Sequence, residues 1–301
     1  MKKMLFIITL LLSQVANATF VPANNKQFPV QYPPSVYANG VTKDQFKKIL
    51  SKVNKVYGPI VAQHGGYLQI RNKWEDDTAN SNTDEVGSLW YVNAFGGLAR
   101  HPKMTPDGYM MVLCHELYHH LGGFPKYQGE GVWTNNASTH WASNEGQSDY
   151  GAALKCFKRM VENDKDINSR FNKCNAGREE ACCKKPPYEA QICVRTVRAG
   201  ISVSNVLHDL AEETYKIDLN TPDKTVVKQT YDAHPNAQCR MDTYYAGAIC
   251  DADINEEFSD VEPKQGSCSK EAGDKIGVRP LCWYAPLSSV KKPAKKPTRL
   301  D

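Results

Sequence analysis

Apolar positions recur along the chain in distinct rhythms, and each rhythm predicts a different element. Over residues 43–57, Phe46, Leu50, Val53 and Val56-Tyr57 fall three or four positions apart, the spacing of one buried helix face. Gly58-Pro59 predicts the end of that helix, because proline has no N–H with which to continue the ladder. In the stretch GSLWYVNAFGGL, residues 87–98, Trp90, Val92 and Ala94 alternate with Tyr91, Asn93 and Phe95. That period of two predicts a strand, stopped by Gly96-Gly97. An apolar run, YMMVLCHELYHHL, follows at 109–121. Thr105 as N-cap, Pro106 at the first position and Asp107 in the first turn predict where its helix starts. Gly122, Gly123 and Pro125 predict where it stops. A further helix is predicted in SNEGQSDYGAALKCFKRMV, residues 143–161, with Ser143 as its cap.

The ends of the chain carry no such pattern. Lys2 and Lys3 precede the apolar stretch Met4 to Leu12, and Ala16-Asn17-Ala18 offers a small-residue cleavage site. Residues 1–18 therefore read as a secretory signal peptide. Its apolar part is far shorter than the ~20 residues that span a bilayer. The mature chain is expected to be exported, periplasmic or extracellular, with no transmembrane segment, and monomeric. Residues 19–40, rich in Pro, Asn and Tyr, read as an extended N-terminal segment that could serve as a propeptide, although nothing requires it. Residues 41–286 suit one domain with a Cys-rich C-terminal part. The Lys/Pro-rich stretch 287–301 reads as a disordered basic tail.

Charge narrows the function classes. The net charge is +4. Lys2 and Lys3 supply two of those charges and the tail from 291 a further four, which leaves the body near −2. No nucleic-acid partner is expected of such a surface. The ten cysteines all lie between Cys114 and Cys282. In an exported chain their even number predicts disulfides, and no C-x2-C pair suggests a cysteine zinc site. Adjacent Cys182 and Cys183 should bond to different partners. The local expectations are Cys268 with Cys282, and pairing among Cys174, Cys182, Cys183 and Cys193. Cys114 and Cys156 could tie their two helices together, the alternative being two buried thiols.

The chemistry concentrates in HELYH, residues 115–119. His115 and His119, four apart on a helix, share one face and can grip one ion. Glu116 is turned about 100° away, unsuited to ligation beside them but suited to receiving a proton from water on a metal. His120 points elsewhere and reads as a surface or capping histidine. The metzincin pattern would need His at 125, where this chain has Pro125. An acidic third ligand is therefore expected on a later helix. Glu145 would complete a His2Glu zinc site, and Asp149, one turn on, could accept the free ring N–H of a ligating histidine. Glu130, in a Gly-rich loop, is the competing third ligand.

HELYH followed by Glu145-Gly-Gln-Ser-Asp149 resembles the HExxH and ExxxD pair of gluzincin metallopeptidases. His234-Pro235 ahead of Arg240 is similar to the HP-x4-R element of CAAX-prenyl-protease-like and HtpX-like peptidase domains. The resemblance covers roughly residues 45–245. It implies a helix-rich α+β, zincin-like (minigluzincin) domain with a small, mostly antiparallel sheet, here stabilised by disulfides. It also implies one catalytic Zn2+ held by His115, His119 and Glu145, and a polypeptide substrate laid along the strand at 87–98 as an edge strand. Zinc would acidify water and polarise the scissile carbonyl, and Glu116 would shuttle the proton. His234 would stabilise the oxyanion, with Arg240 orienting it or a nearby carboxylate; His101, His140 and Tyr150 are weaker candidates. The expected activity is an exported zinc-dependent endopeptidase. A zinc-stabilised non-catalytic binding module and a cell-wall amide hydrolase remain alternatives.

Overall fold

The computed structural model describes residues 18–30, 40–128, 141–164, 177 and 179–286. The expected signal peptide up to residue 17, residues 31–39, Glu130, His140, Cys174 and the basic tail lie outside them.

The architecture is α+β: a small sheet laid against a group of helices. Strands β1 (Ala18–Thr19), β2 (Tyr67–Lys73), β3 (Ser81–Val86) and β4 (Leu89–Phe95) are ordered β1-β3-β4-β2. The pairs β1–β3 and β3–β4 are antiparallel, whereas β2–β4 is parallel over seven residues, so the sheet is mixed. Strand β4 is the predicted one, but it lies in the interior of the sheet. Its backbone is already bonded on both sides, to β3 and to β2, so it cannot take up a further strand as the expected substrate edge. The edge strands are β1 and β2, and β1 covers the side of β3 that faces away from β4.

The described helices are α1 (Lys43–Gln63), α2 (Gly96–Arg100), α3 (Pro106–Leu121), α4 (Glu145–Gly151), α5 (Lys158–Val161), α6 (Glu180–Cys183), α7 (Pro187–Leu210) and α8 (Ala237–Ile249). A π-helical stretch, Ala152–Phe157, joins α4 to α5. Helix α1 does not stop at Gly58-Pro59 but runs on to Gln63. A residue before proline normally clashes through its Cβ in a helix, and Gly58 has none. Continuing the helix buries Val61 beside Tyr57 in the core. Gly96-Gly97 do end the strand, yet they also open α2. A Cβ on Gly96 would lie 1.9 Å from the Trp74 carbonyl oxygen, and one on Gly97 would lie 2.0 Å from that of Asp77. The glycines thus allow a backbone crossing that Arg100 then fastens, donating to the Trp74 carbonyl at 2.7 Å and to Asp77 at 2.7 Å.

Helix α3 begins and ends where its sequence signals put it. The Thr105 hydroxyl accepts from Gly108 N–H at 3.0 Å, Pro106 is the first residue, and Gly122 is the C-cap. Every residue from Gly108 to His119 is buried, because α1, α4, α7, the π stretch and β3 pack around it. Apolar neighbours from both layers, including Val92 of β4, Val53 of α1 and Val203 of α7, belong to one core with Met111 and Leu113.

Disulfides brace this arrangement. Cys114–Cys156 joins α3 to the π stretch, and Cys182–Cys193 joins α6 to α7. Cys183 is also disulfide-bonded. The expected Cys268–Cys282 bond is not formed: Cys268 bonds to Cys250, and Cys282 bonds to Cys239. The C-terminal segment folds back over α8 so that Trp283 is buried, and this brings each cysteine to a partner on that helix or at its end. Short sequence separation was a poor guide there, because the helix to which the segment returns sets the pairing.

Candidate metal centre

The site is assembled from two helix segments that meet end to side. One turn of α3 places His115 and His119 with ring centroids 4.6 Å apart and Nε2 atoms 3.0 Å apart. Glu145, the first residue of α4, brings Oε2 to 3.2 Å from His115 Nε2 and Oε1 to 3.6 Å from His119 Nε2. Asn144, not the predicted Ser143, caps α4, accepting from Gln147 N–H at 3.0 Å. Ser143 is occupied elsewhere. Its N–H donates to the His119 carbonyl at 2.7 Å, and its hydroxyl donates to that of Gly123 at 2.7 Å. The Gln147 side chain donates to the Gly122 carbonyl at 2.6 Å, so the start of α4 is fixed to the end of α3.

Hydrogen bonds on the far side of each imidazole decide which ring nitrogen carries a proton. His115 Nδ1 lies 2.7 Å from Asp149 Oδ1. Burial opposes ionisation of Asp149, but Arg240 and His115 outweigh it and hold its carboxyl below the usual range. His115 Nδ1 is therefore the donor. His119 Nδ1 lies 2.8 Å from the Ser143 carbonyl, which can only accept, so it too is the donor. Two Nε2 lone pairs and a carboxylate are left converging in a buried space, with all three ligand atoms within 4.8 Å of one another.

Three acceptors cannot converge there without a cation between them. In the metal-free protein one proton serves. Burial works against charge on His115, but Asp149 and Glu145 outweigh it and push its pKa up to about 9. Burial drives His119 down to about 3, with the neighbouring His115 adding to the effect. Glu145 is held well below the usual carboxylate range because His234, His119 and His115 together outweigh its burial. Two nitrogens and one carboxylate oxygen are also a donor set for a divalent metal ion, and His115, His119 and Glu145 can hold one.

Glu116 stands beside this set. Both its carboxylate oxygens are buried and neither has a hydrogen-bond partner among the described residues. Burial pushes its pKa up to about 8, partly offset by the charge on His115 and by the nearby Ser81 hydroxyl, which stands short of a well-formed hydrogen bond. A buried acid of this kind is poised to exchange a proton with a molecule entering the site.

The other predicted residues fall into place unequally. His234 Nε2 approaches Glu145 Oε1 to 3.5 Å and donates to the Thr19 carbonyl at 2.7 Å. Of the two expected places for Arg240, on α8, beside His234 or beside a nearby carboxylate, it takes the second. It grips Asp149, Nε to Oδ2 at 2.6 Å and Nη2 to Oδ1 at 2.8 Å, and donates to the Phe20 carbonyl at 2.6 Å. His101 faces Asp209 and Phe28, and Tyr150 donates to the Gly277 carbonyl at 2.6 Å, so neither joins the site. His120 is not a surface residue. It is stacked between Trp90 and Trp141, bonds Thr83 at 2.8 Å and so pins β3 to α3.

Sequence reasoning missed three supports. Ser148 Oγ lies 3.0 Å from His119 Nδ1, the Tyr244 hydroxyl donates to Asp149, and Phe20 packs edge-on against His115 at 5.1 Å. Ser148 is three residues after Glu145 and Tyr244 four after Arg240, so helical spacing could have drawn attention to both. No local signal marks Phe20.

No protein-family model, curated protein or solved structure matches this chain. No helix among the described residues is long and apolar enough to cross a membrane. The disulfides are compatible with an oxidising, exported setting.

Proposed function

We propose that the chain is an exported, zinc-dependent endopeptidase of gluzincin type that hydrolyses peptide bonds in polypeptides. The observation that carries this reading is the convergence of His115, His119 and Glu145 beside the unpartnered, buried carboxylate of Glu116. A structural zinc site closes its coordination with protein ligands and has no use for such a carboxylate.

Zinc held by His115, His119 and Glu145 would supply a Lewis acid for the scissile carbonyl and make water more acidic. The remaining work falls to the chain's own groups. Glu116 takes a proton from the attacking water, whose oxygen adds to the carbonyl carbon, and delivers it to the nitrogen as the C–N bond breaks. Asp149 keeps His115 Nδ1 protonated and its ring oriented, and the Ser143 carbonyl does the same for His119. Arg240 and Tyr244 act through Asp149, as positioning residues. His234 offers a ring N–H to the developing oxyanion, as it now does to a backbone carbonyl.

The test is digestion of an unfolded protein by the purified, oxidised, zinc-loaded chain, with fragments identified by mass spectrometry and Glu116→Gln as the control. Cleavage that the variant lacks supports the reading. Absence of cleavage by both chains, with zinc bound, rejects it.

A further inference from the structure

The edge of the sheet nearest the metal centre is occupied by a distant piece of the same chain. Ala18 and Thr19 pair antiparallel with Thr83 and Asn82 of β3, and Phe20 N–H donates to the Ser81 carbonyl at 3.0 Å. Two carbonyls of the segment are taken by site residues: Thr19 by His234 at 2.7 Å, and Phe20 by Arg240 at 2.6 Å. The Phe20 ring is fully buried, 5.1 Å from the His115 ring and 4.6 Å from the Arg240 guanidinium. All three candidate ligands and Glu116 are at most 5% exposed in this arrangement. An extended polypeptide seeking strand addition beside the metal would need the same backbone groups of β3 and the same donor on His234.

We propose that residues Thr19–Val21, the start of the chain once the expected signal peptide is removed, lie in the polypeptide-binding groove as a displaceable intramolecular strand, so that this conformation is latent and a substrate must expel them. The identity of the substrate rests on the peptidase reading above, but the competition does not. A tethered segment competes at millimolar effective concentration, so it weakens the apparent affinity of any free peptide for the groove. Phe20 is the anchor. Shortening it leaves the strand's backbone pairing in place while removing the ring packed between His115 and Arg240.

The experiment uses the zinc-loaded chain beginning at Thr19 and carrying Glu116→Gln, so that nothing is cut. The probe is a fluorescein-labelled copy of residues 19–25, Thr-Phe-Val-Pro-Ala-Asn-Asn, followed by anisotropy. Adding Phe20→Ala should tighten probe binding at least tenfold. A folded variant with native zinc content that binds no better than its parent overturns the proposal. Should that variant fail to fold, hydrogen exchange on the parent decides. Millimolar unlabelled peptide should accelerate exchange of the Phe20 amide at least tenfold, and an unchanged rate overturns the proposal. Groove binding without cleavage by the Glu116 chain would remove the endopeptidase reading and leave this one standing. Cleavage that is indifferent to Phe20→Ala, with no gain in probe binding, would do the reverse.

Discussion

Asp149 and Arg240 form a wholly buried pair, joined at 2.6 and 2.8 Å, and the same carboxylate accepts the His115 Nδ1 proton at 2.7 Å. The orientation of one candidate-ligand imidazole is thereby tied to Arg240 of α8, 125 residues further along the chain. Burial and pairing together explain why neither charge is lost. The cost of desolvating each is offset by the other, and removing one leaves the second stranded.

Asp149→Asn should therefore weaken zinc binding about 10- to 100-fold. It should also destabilise the fold by about 3–5 kcal/mol, since the Arg240 guanidinium loses its counter-charge. Competition with a zinc chelator reads the first effect and urea unfolding the second. Unchanged zinc affinity would detach Asp149 from the metal centre.

Zinc affinity should rise with pH. His115 holds a proton below about pH 9 in the metal-free protein, and an ion must displace it. One displaced proton gives a slope of about one in log affinity per pH unit, hence about 100-fold tighter binding at pH 8 than at pH 6. The slope should flatten above about pH 9. Isothermal titration in buffers of different ionisation heat also counts the released proton.

Glu116 has the opposite signature in stability. Its folded pKa of about 8 exceeds the ordinary 4.5, so between those values the folded state binds more protons than the unfolded state. Stability contributed by this group is thus present at low pH and lost as pH rises toward 8. Urea unfolding of the zinc-free wild type should lose on the order of a few kcal/mol relative to Glu116→Gln between pH 5 and pH 8. Parallel pH profiles for the two chains would show that the carboxylate is solvated after all.

The Cys114–Cys156 disulfide spans a sequence separation of 42 residues, immediately beside His115. Replacing both cysteines with Ala should cost about 2–5 kcal/mol, mostly by freeing the unfolded chain. It should weaken zinc binding as well, because α3 and the segment following α4 are no longer tied. Thermal unfolding and chelator competition on the double variant measure the two effects.

Much of the centre was written in short-range pattern. Thr105, Pro106 and Gly122 delimit α3, and the four-residue step from His115 to His119 fixes their shared face, because both depend only on neighbours within a helix. Glu145 and Asp149 were legible for the same reason, and the helical geometry that placed Cys156 near Cys114 needed only two packed helices. Ser143 does not cap α4, because its backbone and hydroxyl bond the end of α3, which no local pattern announces.

Tertiary structure alone decided the rest. The rhythm of β4 identified a strand but not its neighbours, and pairing with both β2 and β3 is what removes it from the edge. Helix α1 passes Pro59 because Gly58 spares the clash and Val61 gains a core to enter. The hydrogen bonds from His234 to Thr19 and from Arg240 to Phe20 cross 215 and 220 residues. Periodicity records which face of an element is apolar, and it carries no information about which remote backbone that face will meet. The candidate ligand group was therefore set by sequence, whereas the chain folded across it was set by packing.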